Sequence, residues 1–236
     1  LLHTLAPCMA FFQALVTFAV IPFGDVLMIG DRLINLQVAN LNIGILYVFA
    51  MGSLGVYGIV IGAWASNNKF SLLGGVRGSA QMISYEVAMG LSVMGVLMIY
   101  GTLELQEIAR DQGTLIRELL PQWLSFLRPI IGWLPAWGIF LQPLGFLLFF
   151  TAAVAETKRI PFDLPEGESE LVAGYHVEYS GGKFLMFFAG EFAEIVTAAG
   201  LITTLFFGGW QVPYLMRDGF HFPWGAAWLL PHLVVV

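Results

Sequence analysis

Four glutamates stand where a glutamate is costly. Glu86, Glu191 and Glu194 lie inside long apolar stretches and Glu156 lies at the end of another. An ionisable side chain within a membrane helix costs several kcal/mol by most estimates, so it faces a polar interior or a water path, or takes up a proton. Glu191 and Glu194 are three residues apart and share one helical face. Close carboxylates in low dielectric share protons, because two adjacent negative charges do not both persist. The chemistry this permits is a proton or cation relay. The plainer alternative is a set of carboxylates hydrogen-bonded to Ser, Tyr or backbone that fix helix packing.

A second concentration of acid follows directly. The stretch Ala155 to Gly182 holds Glu156, Asp163, Glu166, Glu168, Glu170 and Glu178 in a chain otherwise poor in charge, with Pro161 and Pro165 fixing the backbone around them. Pro165 suits a helix start, with Glu166 and Glu168 in the first turn where carboxylates offset unpaired amides. Glu166 and Glu170 would then share a face, with Leu171, Val172 and Tyr175 on the apolar side. No metal site is expected: the acidic spacing misses the calcium-loop pattern, His176 stands alone, and Cys8 is the only cysteine. Iron-sulfur ligation cannot come from this chain by itself.

These residues need membrane elements to position them. The 236-residue chain is 58% hydrophobic and 11% charged, far from the roughly one quarter charged of a soluble domain. The expected fold is all-α, a polytopic transmembrane helix bundle of about six segments forming a single membrane domain over residues 1–236. The net charge of −6 argues against nucleic acid, whose phosphates demand basic surface. Apolar length marks the segments at about Leu2 to Pro22, Leu41 to Ala65, Ser79 to Tyr100, Trp137 to Glu156 and Phe184 to Phe207. A sixth opens at Trp224. Because the chain starts at Leu1 and stops within that apolar run, it reads as a fragment of a longer subunit.

Between the segments the polarity changes. In the second, Gly52, Gly55, Gly58 and Gly62 fall on one face, a packing signal for close helix approach and no chemistry. A basic loop, SNNKFSLLGGVRG, is expected before the third segment, and a surface amphipathic helix between Thr102 and Ala136, broken by Pro121, Pro129 and Pro135. Pro143 should interrupt the fourth segment. Lys and Arg divide evenly between alternate loops, with Lys69, Arg77, Lys158, Arg159 and Lys183 on one side and Arg32, Arg110, Arg117, Arg128 and Arg217 on the other, so charge leaves orientation open.

Three stretches carry a family resemblance over nearly the whole chain. They are GVYGIVIGAWASNNKFSLLGGVRGSAQMISYEV at Gly55 to Val87, AETKRIPFDLPEGESELVAGYHVEYSG at Ala155 to Gly181, and FFAGEFAEI after it. Together they resemble the H subunit of respiratory complex I, the ND1 family of NADH-quinone oxidoreductase. The opening LAPCMAFFQALVTFAVIPFGD resembles that protein just after its first transmembrane helix, so the first and last helices are expected to be missing.

The resemblance implies a non-redox subunit of a proton-translocating NADH:ubiquinone or menaquinone reductase, multi-pass in a bacterial plasma membrane or mitochondrial inner membrane. It implies that the chain helps form the quinone chamber, with Glu86, Glu156 and Glu191 matching the family's intramembrane glutamates. Glu194 joins them only as a residue reading. Asp163, Glu166, Glu168 and Glu170, with Glu178 beyond them, would form the acidic loop near quinone, and Arg77 and Arg159 the basic residues nearby. That loop would face the cytoplasm or matrix. Phe187 and Phe188 are candidates for apolar contact with a quinone tail. Quinone is the implied substrate, while NADH, FMN and iron-sulfur clusters would sit on partner subunits of the peripheral arm; the other partners are membrane-arm subunits and the lipid bilayer. Competing readings are the related membrane subunit of an energy-converting hydrogenase, an ion-coupled carrier, and a purely structural anchor.

Overall fold

Length decides which elements can cross a bilayer. In the computed structural model, which describes residues 1–29, 32–119, 131–165, 174–211, 215–216, 219–221 and 227–228, three helices are long and apolar enough to do so. They are α2 (Gly44–Ala65), α3 (Lys69–Tyr100) and α8 (Gly181–Phe206), of 22, 32 and 26 residues. At about 1.5 Å per residue each exceeds the roughly 30 Å hydrocarbon core. Two shorter apolar helices, α1 (Leu2–Phe18) and α7 (Pro143–Glu156), accompany them. The remaining described helices are short: α4 (Leu105–Asp111), α5 (Ile116–Leu119), α6 (Gly138–Leu141) and a 3-10 turn at Gly174–His176. The all-helical membrane bundle expected from composition is the observed class.

Local chemistry moves several boundaries. Helix α3 starts at Lys69, ten residues before the expected Ser79, so the basic stretch is not a loop. Asn68 explains this: its Oδ1 accepts the Phe70 N–H at 3.0 Å, a side-chain N-cap that makes a polar start helical. Asn67, with φ 50°, supplies the turn out of α2. The break expected at Pro143 falls between α6 and α7, where Gln142 leaves the helical region and Pro143 takes the first helical position, at which a missing N–H costs nothing. Between Thr102 and Ala136 the described residues form α4 and α5 rather than one amphipathic helix, and residues 120–130 lie outside the description.

The chain divides into two units. One comprises Leu1–Ala19, Ile45–Met94 and Leu147–Ala199. Its core is Ala6, Ala10, Val56, Ile59, Ala63, Met82, Tyr175, Tyr179 and Phe187. Small residues set the helix spacing: a Cβ on Gly58 would lie 3.1 Å from the Ala10 backbone N and 3.2 Å from the Ala6 carbonyl O, and one on Gly75 only 2.2 Å from the Ala63 Cβ. Without a hydrophobic drive between lipid-embedded helices, such close backbone approach provides the van der Waals contact that holds them.

The other unit comprises Val20–Gly44, Gly95–Phe146 and Gly200–Val236. Its loops carry small antiparallel ladders that the periodicity did not signal. Strands β1 (Val26–Ile29) and β2 (Arg32–Asn35) pair, and β4 (Gly219–His221) pairs with both β3 (Leu215–Met216) and β5 (Ala227–Trp228). Of the sixth expected segment only Ala227 and Trp228 are described, and they are extended. Gln112 organises this unit: its Nε2 donates to Thr204 O at 2.7 Å and Ile108 O at 3.3 Å, and its Oε1 accepts from Gly208 N at 2.9 Å and Gly138 N at 3.2 Å. A fully buried amide with all four bonds made is a stable link between helix ends.

Carboxylates near a buried lysine

The site begins at the end of α7. Lys158 N–H donates to Ala155 O at 3.2 Å and Arg159 N–H to Val154 O at 3.3 Å, the bond pair of a Schellman C-cap. The left-handed position of that motif normally holds Gly, yet here it is Lys158 with φ 54°. A side chain there costs about 1–2 kcal/mol. The turn aims the lysine inward, and the chain beyond it passes a cis Ile160–Pro161 peptide. Gln81 of α3 fastens both sides of the turn, its Nε2 donating to Ala155 O and Phe162 O, each at 2.7 Å.

Inside, Lys158 Nζ lies 2.9 Å from Glu191 Oε1 and 3.0 Å from Tyr175 Oη. Tyr175 donates its hydroxyl to the same Glu191 oxygen. The lysine and glutamate side chains are 3% and 9% exposed, so this is a desolvated ion pair, and the tyrosine supplies the extra hydrogen bond such a pair needs. Burial would pull the Lys158 ammonium down, but Tyr175, Glu191 and Glu194 outweigh it and hold the group well above the ordinary lysine value. His176, beside Tyr175 at 3.9 Å between ring centroids, responds oppositely: burial first, and Lys158 with it, push it down to about 4 against the pull of Glu191. It is neutral at physiological pH.

The other carboxylates extend from this pair in both directions. Glu194, one turn beyond Glu191 on α8, accepts from Gln13 Nε2 of α1 at 2.6 Å, and its Oε2 is buried with no hydrogen-bond partner among the described residues. Glu86 of α3 accepts from Ser53 Oγ of α2 at 2.5 Å. Glu156 reaches the same neighbourhood from α7: a Cβ on Gly52 would lie 3.6 Å from Glu156 Oε1 and 4.0 Å from Glu86 Oε1. One on Gly55 would meet Gln13 Nε2 at 2.6 Å and Glu194 Oε1 at 3.5 Å. The glycine face of α2, expected to carry packing alone, therefore has two jobs. Gly58 and Gly62 admit Ala10 and Phe187, while Gly52 and Gly55 leave space for carboxylates and the amide that binds one.

Other expected site residues fall elsewhere. Asp163 and Arg77 are exposed, and Glu178 accepts from Asn68 Nδ2 at 2.8 Å. Glu166, Glu168 and Glu170 lie outside the described residues. Arg159 places its guanidinium 4.9 Å from the centroid of the Phe192 ring. Phe187 is 2% exposed and closed in by Tyr175, Tyr179 and His176, whereas Phe188 sits on an exposed aromatic run with Phe184 and Phe192. The two phenylalanines thus differ in environment, because adjacent helical residues point to different faces.

Lys158, Tyr175, Gln13, Ser53 and Gln81 were not singled out from sequence as site residues. Gln13 and Ser53 had a signal, a polar residue within an apolar run. Lys158 had none: its partner Glu191 is 33 residues away and nothing in a loop lysine announces burial.

Chemically, the arrangement is one buried ion pair, Lys158 with Glu191, two carboxylates held by neutral donors, Glu194 by Gln13 and Glu86 by Ser53, and Glu156 beside Gly52 with Glu86. Among the described residues no group of His, Cys, Asp and Glu has the arrangement to hold a metal ion.

Comparison with known proteins is consistent in kind and covers the whole chain. The family model described as NADH dehydrogenase matches residues 1–236. The chain is 47% identical over 211 residues to the NADH-quinone oxidoreductase H subunit of Protochlamydia amoebophila, covering 89% of this chain and 58% of that protein. It is 48% identical over 214 residues to an NADH-quinone oxidoreductase H subunit of Geobacter sulfurreducens, covering 91% and 59%. Against the H subunit of Thermomicrobium roseum it is 48% identical over 214 residues, covering 91% and 60%. The chain spans about three fifths of the length of these curated relatives.

Proposed function

The chain belongs to the NADH dehydrogenase family, with H subunits of NADH-quinone oxidoreductase among its relatives, and on that premise we propose that it is a non-redox, membrane-embedded part of such a complex. Its role is to couple quinone reduction, carried out against partner subunits, to proton translocation through its buried carboxylates. Quinone is the substrate of the whole complex; NADH, FMN and iron-sulfur clusters belong to peripheral-arm partners. The observation that carries this reading is the occurrence of Glu86, Glu156, Glu191 and Glu194 in one unit with the buried Lys158–Glu191 ion pair. A structural anchor does not need it.

The coupling proceeds by charge. A proton-demanding reduced quinone near the acidic stretch that opens at Asp163 perturbs the protonation of that stretch, and each carboxylate responds to its neighbour's charge in turn. Glu156, at the turn joining the stretch to α7, responds first by giving up a proton toward the stretch, and Glu191, Glu194 and Glu86 follow. Phe188, on the exposed face, is the better placed of the two phenylalanines for a quinone tail; Phe187 serves the core.

Glu191→Gln in the whole complex tests the relay. It should lower both NADH:quinone turnover and membrane potential, and wild-type values for both would sink the reading. Asp163→Asn or Glu166→Gln should impair quinone reduction while NADH oxidation by an artificial acceptor stays intact. A native gel confirms that the complex is assembled in each case.

A further inference from the structure

A lysine where the backbone asks for glycine needs a reason in its side chain. The Schellman turn after α7 would form with a glycine at position 158 at no steric cost, so the ammonium is what Lys158 supplies. That ammonium is buried, and among the described residues it is the cation paired with a member of the glutamate row. Arg159, its neighbour, lies over the Phe192 ring instead.

The groups that face Lys158 come from every element packed on it. Tyr175 and His176 approach from the 3-10 turn, Glu191 and Glu194 from α8, and Glu156 from its own helix two residues back. Four carboxylates with Lys158 as the one buried cation among the described residues are charge-balanced when one carboxylate is ionised. Each further negative charge in low dielectric is opposed by the first.

Building on the relay reading, we infer that Lys158 is a positioning residue of that relay: its fixed positive charge selects which carboxylate of the row is ionised. In the observed arrangement that carboxylate is Glu191. When a proton reaches Glu191, the pair is neutralised on the acid side and the ammonium keeps its charge. Balance is restored when a second carboxylate releases a proton, and Glu156, on the same turn as the lysine, is placed to do so. One proton enters at Glu191 and one leaves from Glu156; the net charge of the cluster is unchanged and no bond other than O–H forms or breaks. Tyr175, which donates to the same Glu191 oxygen as Lys158, keeps that oxygen satisfied while the ammonium shifts. The high proton affinity of Lys158 supports this role, since the lysine stays an ammonium throughout.

The test uses the assembled complex in membrane vesicles with Lys158→Met, Lys158→Gly, Lys158→Arg and Lys158→Met/Glu191→Gln, and Glu191→Gln beside them. Assembly is read on a native gel, and NADH:quinone turnover, membrane potential and the pH profile of turnover are read on the vesicles. Lys158→Met should lower turnover at least tenfold and displace the pH profile. Lys158→Gly, which suits the backbone better than lysine does, should behave like the Met variant. Lys158→Arg, which keeps the charge, should retain at least a third of wild-type turnover and a coupled potential. Wild-type turnover, potential and pH profile in the Gly or Met variant overturns the inference, as does an Arg variant as impaired as Met. Should the single uncharged variants fail to assemble, the double variant decides: with both charges gone it should assemble, and its failure to do so makes Lys158 a packing residue and overturns the proposal. Wild-type behaviour of Glu191→Gln sinks the relay reading itself, whereas an impaired Glu191→Gln beside a normal Lys158→Gly sinks only this inference.

Discussion

Gly55 makes the space that Gln13 fills: a Cβ at position 55 would lie 2.6 Å from the Gln13 Nε2, the atom that donates to Glu194. The carboxylate row is thus shaped partly by missing side chains on α2. This relationship separates the glycines of that helix into those that guard backbone contact and those that leave polar space.

Gly58→Ala and Gly52→Ala should therefore differ in sign. Either change gains up to about 1 kcal/mol of helix propensity. At Gly58 the new methyl presses on Ala10 and Ala6 backbone atoms at 3.1 and 3.2 Å, an overpacking cost of about 1–3 kcal/mol, so the thermal midpoint should fall. At Gly52 its nearest neighbours, at 3.6 and 4.0 Å, are in ordinary contact, and the midpoint should hold or rise. Thermal denaturation of the purified complex, followed by loss of the native gel band, compares them.

Gln112→Leu should be among the most damaging changes in its unit. The isosteric apolar side chain strands the Gly138 and Gly208 N–H groups and the Thr204 carbonyl, at about 1–3 kcal/mol for each buried group left unsatisfied. Reduced assembly and faster proteolysis between α4 and α6 are the expected readouts. Wild-type protease resistance would show that other groups replace the amide.

His176 sets a pH dependence of stability. Its pKa of about 4 in the fold lies below the ordinary 6.5, so the unfolded chain binds the proton more readily. Stability contributed by the neutral imidazole is fully present above about pH 6.5 and is lost as pH falls toward 4, by at most about 3 kcal/mol. His176→Gln should flatten the fall in thermal midpoint over that window. An unchanged slope would assign the acid sensitivity to other groups.

Tyr175→Phe removes one of the two donors on Glu191 Oε1 and leaves Lys158 in place. A hydrogen bond to a charged group contributes about 1.5–3 kcal/mol, so turnover should fall by roughly 10- to 150-fold, with assembly retained. Unaltered turnover together with an unaltered pH profile would leave Tyr175 as core packing alone.

The amino-acid sequence by itself determined the membrane class, the existence of the main apolar segments and the presence of carboxylates where they are costly. Those facts follow from composition and local periodicity: 20-odd apolar residues mark a candidate spanning segment, and a glutamate among them is conspicuous at once. The grouping of Glu86, Glu156 and Glu191 was implied only by the family resemblance. Tertiary structure alone decided what lies between them. Lys158 reads as one more loop cation until the left-handed turn folds it inward onto a glutamate of another helix. Phe187 and Phe188 read alike until the pitch of α8 buries one and exposes the other. Gly52 and Gly55 read as packing until α3, α7 and α8 bring their acids against them. The physical reason is common to all three: charge pairing, burial and close approach are set by residues far apart in sequence, and become specific only when the helices meet.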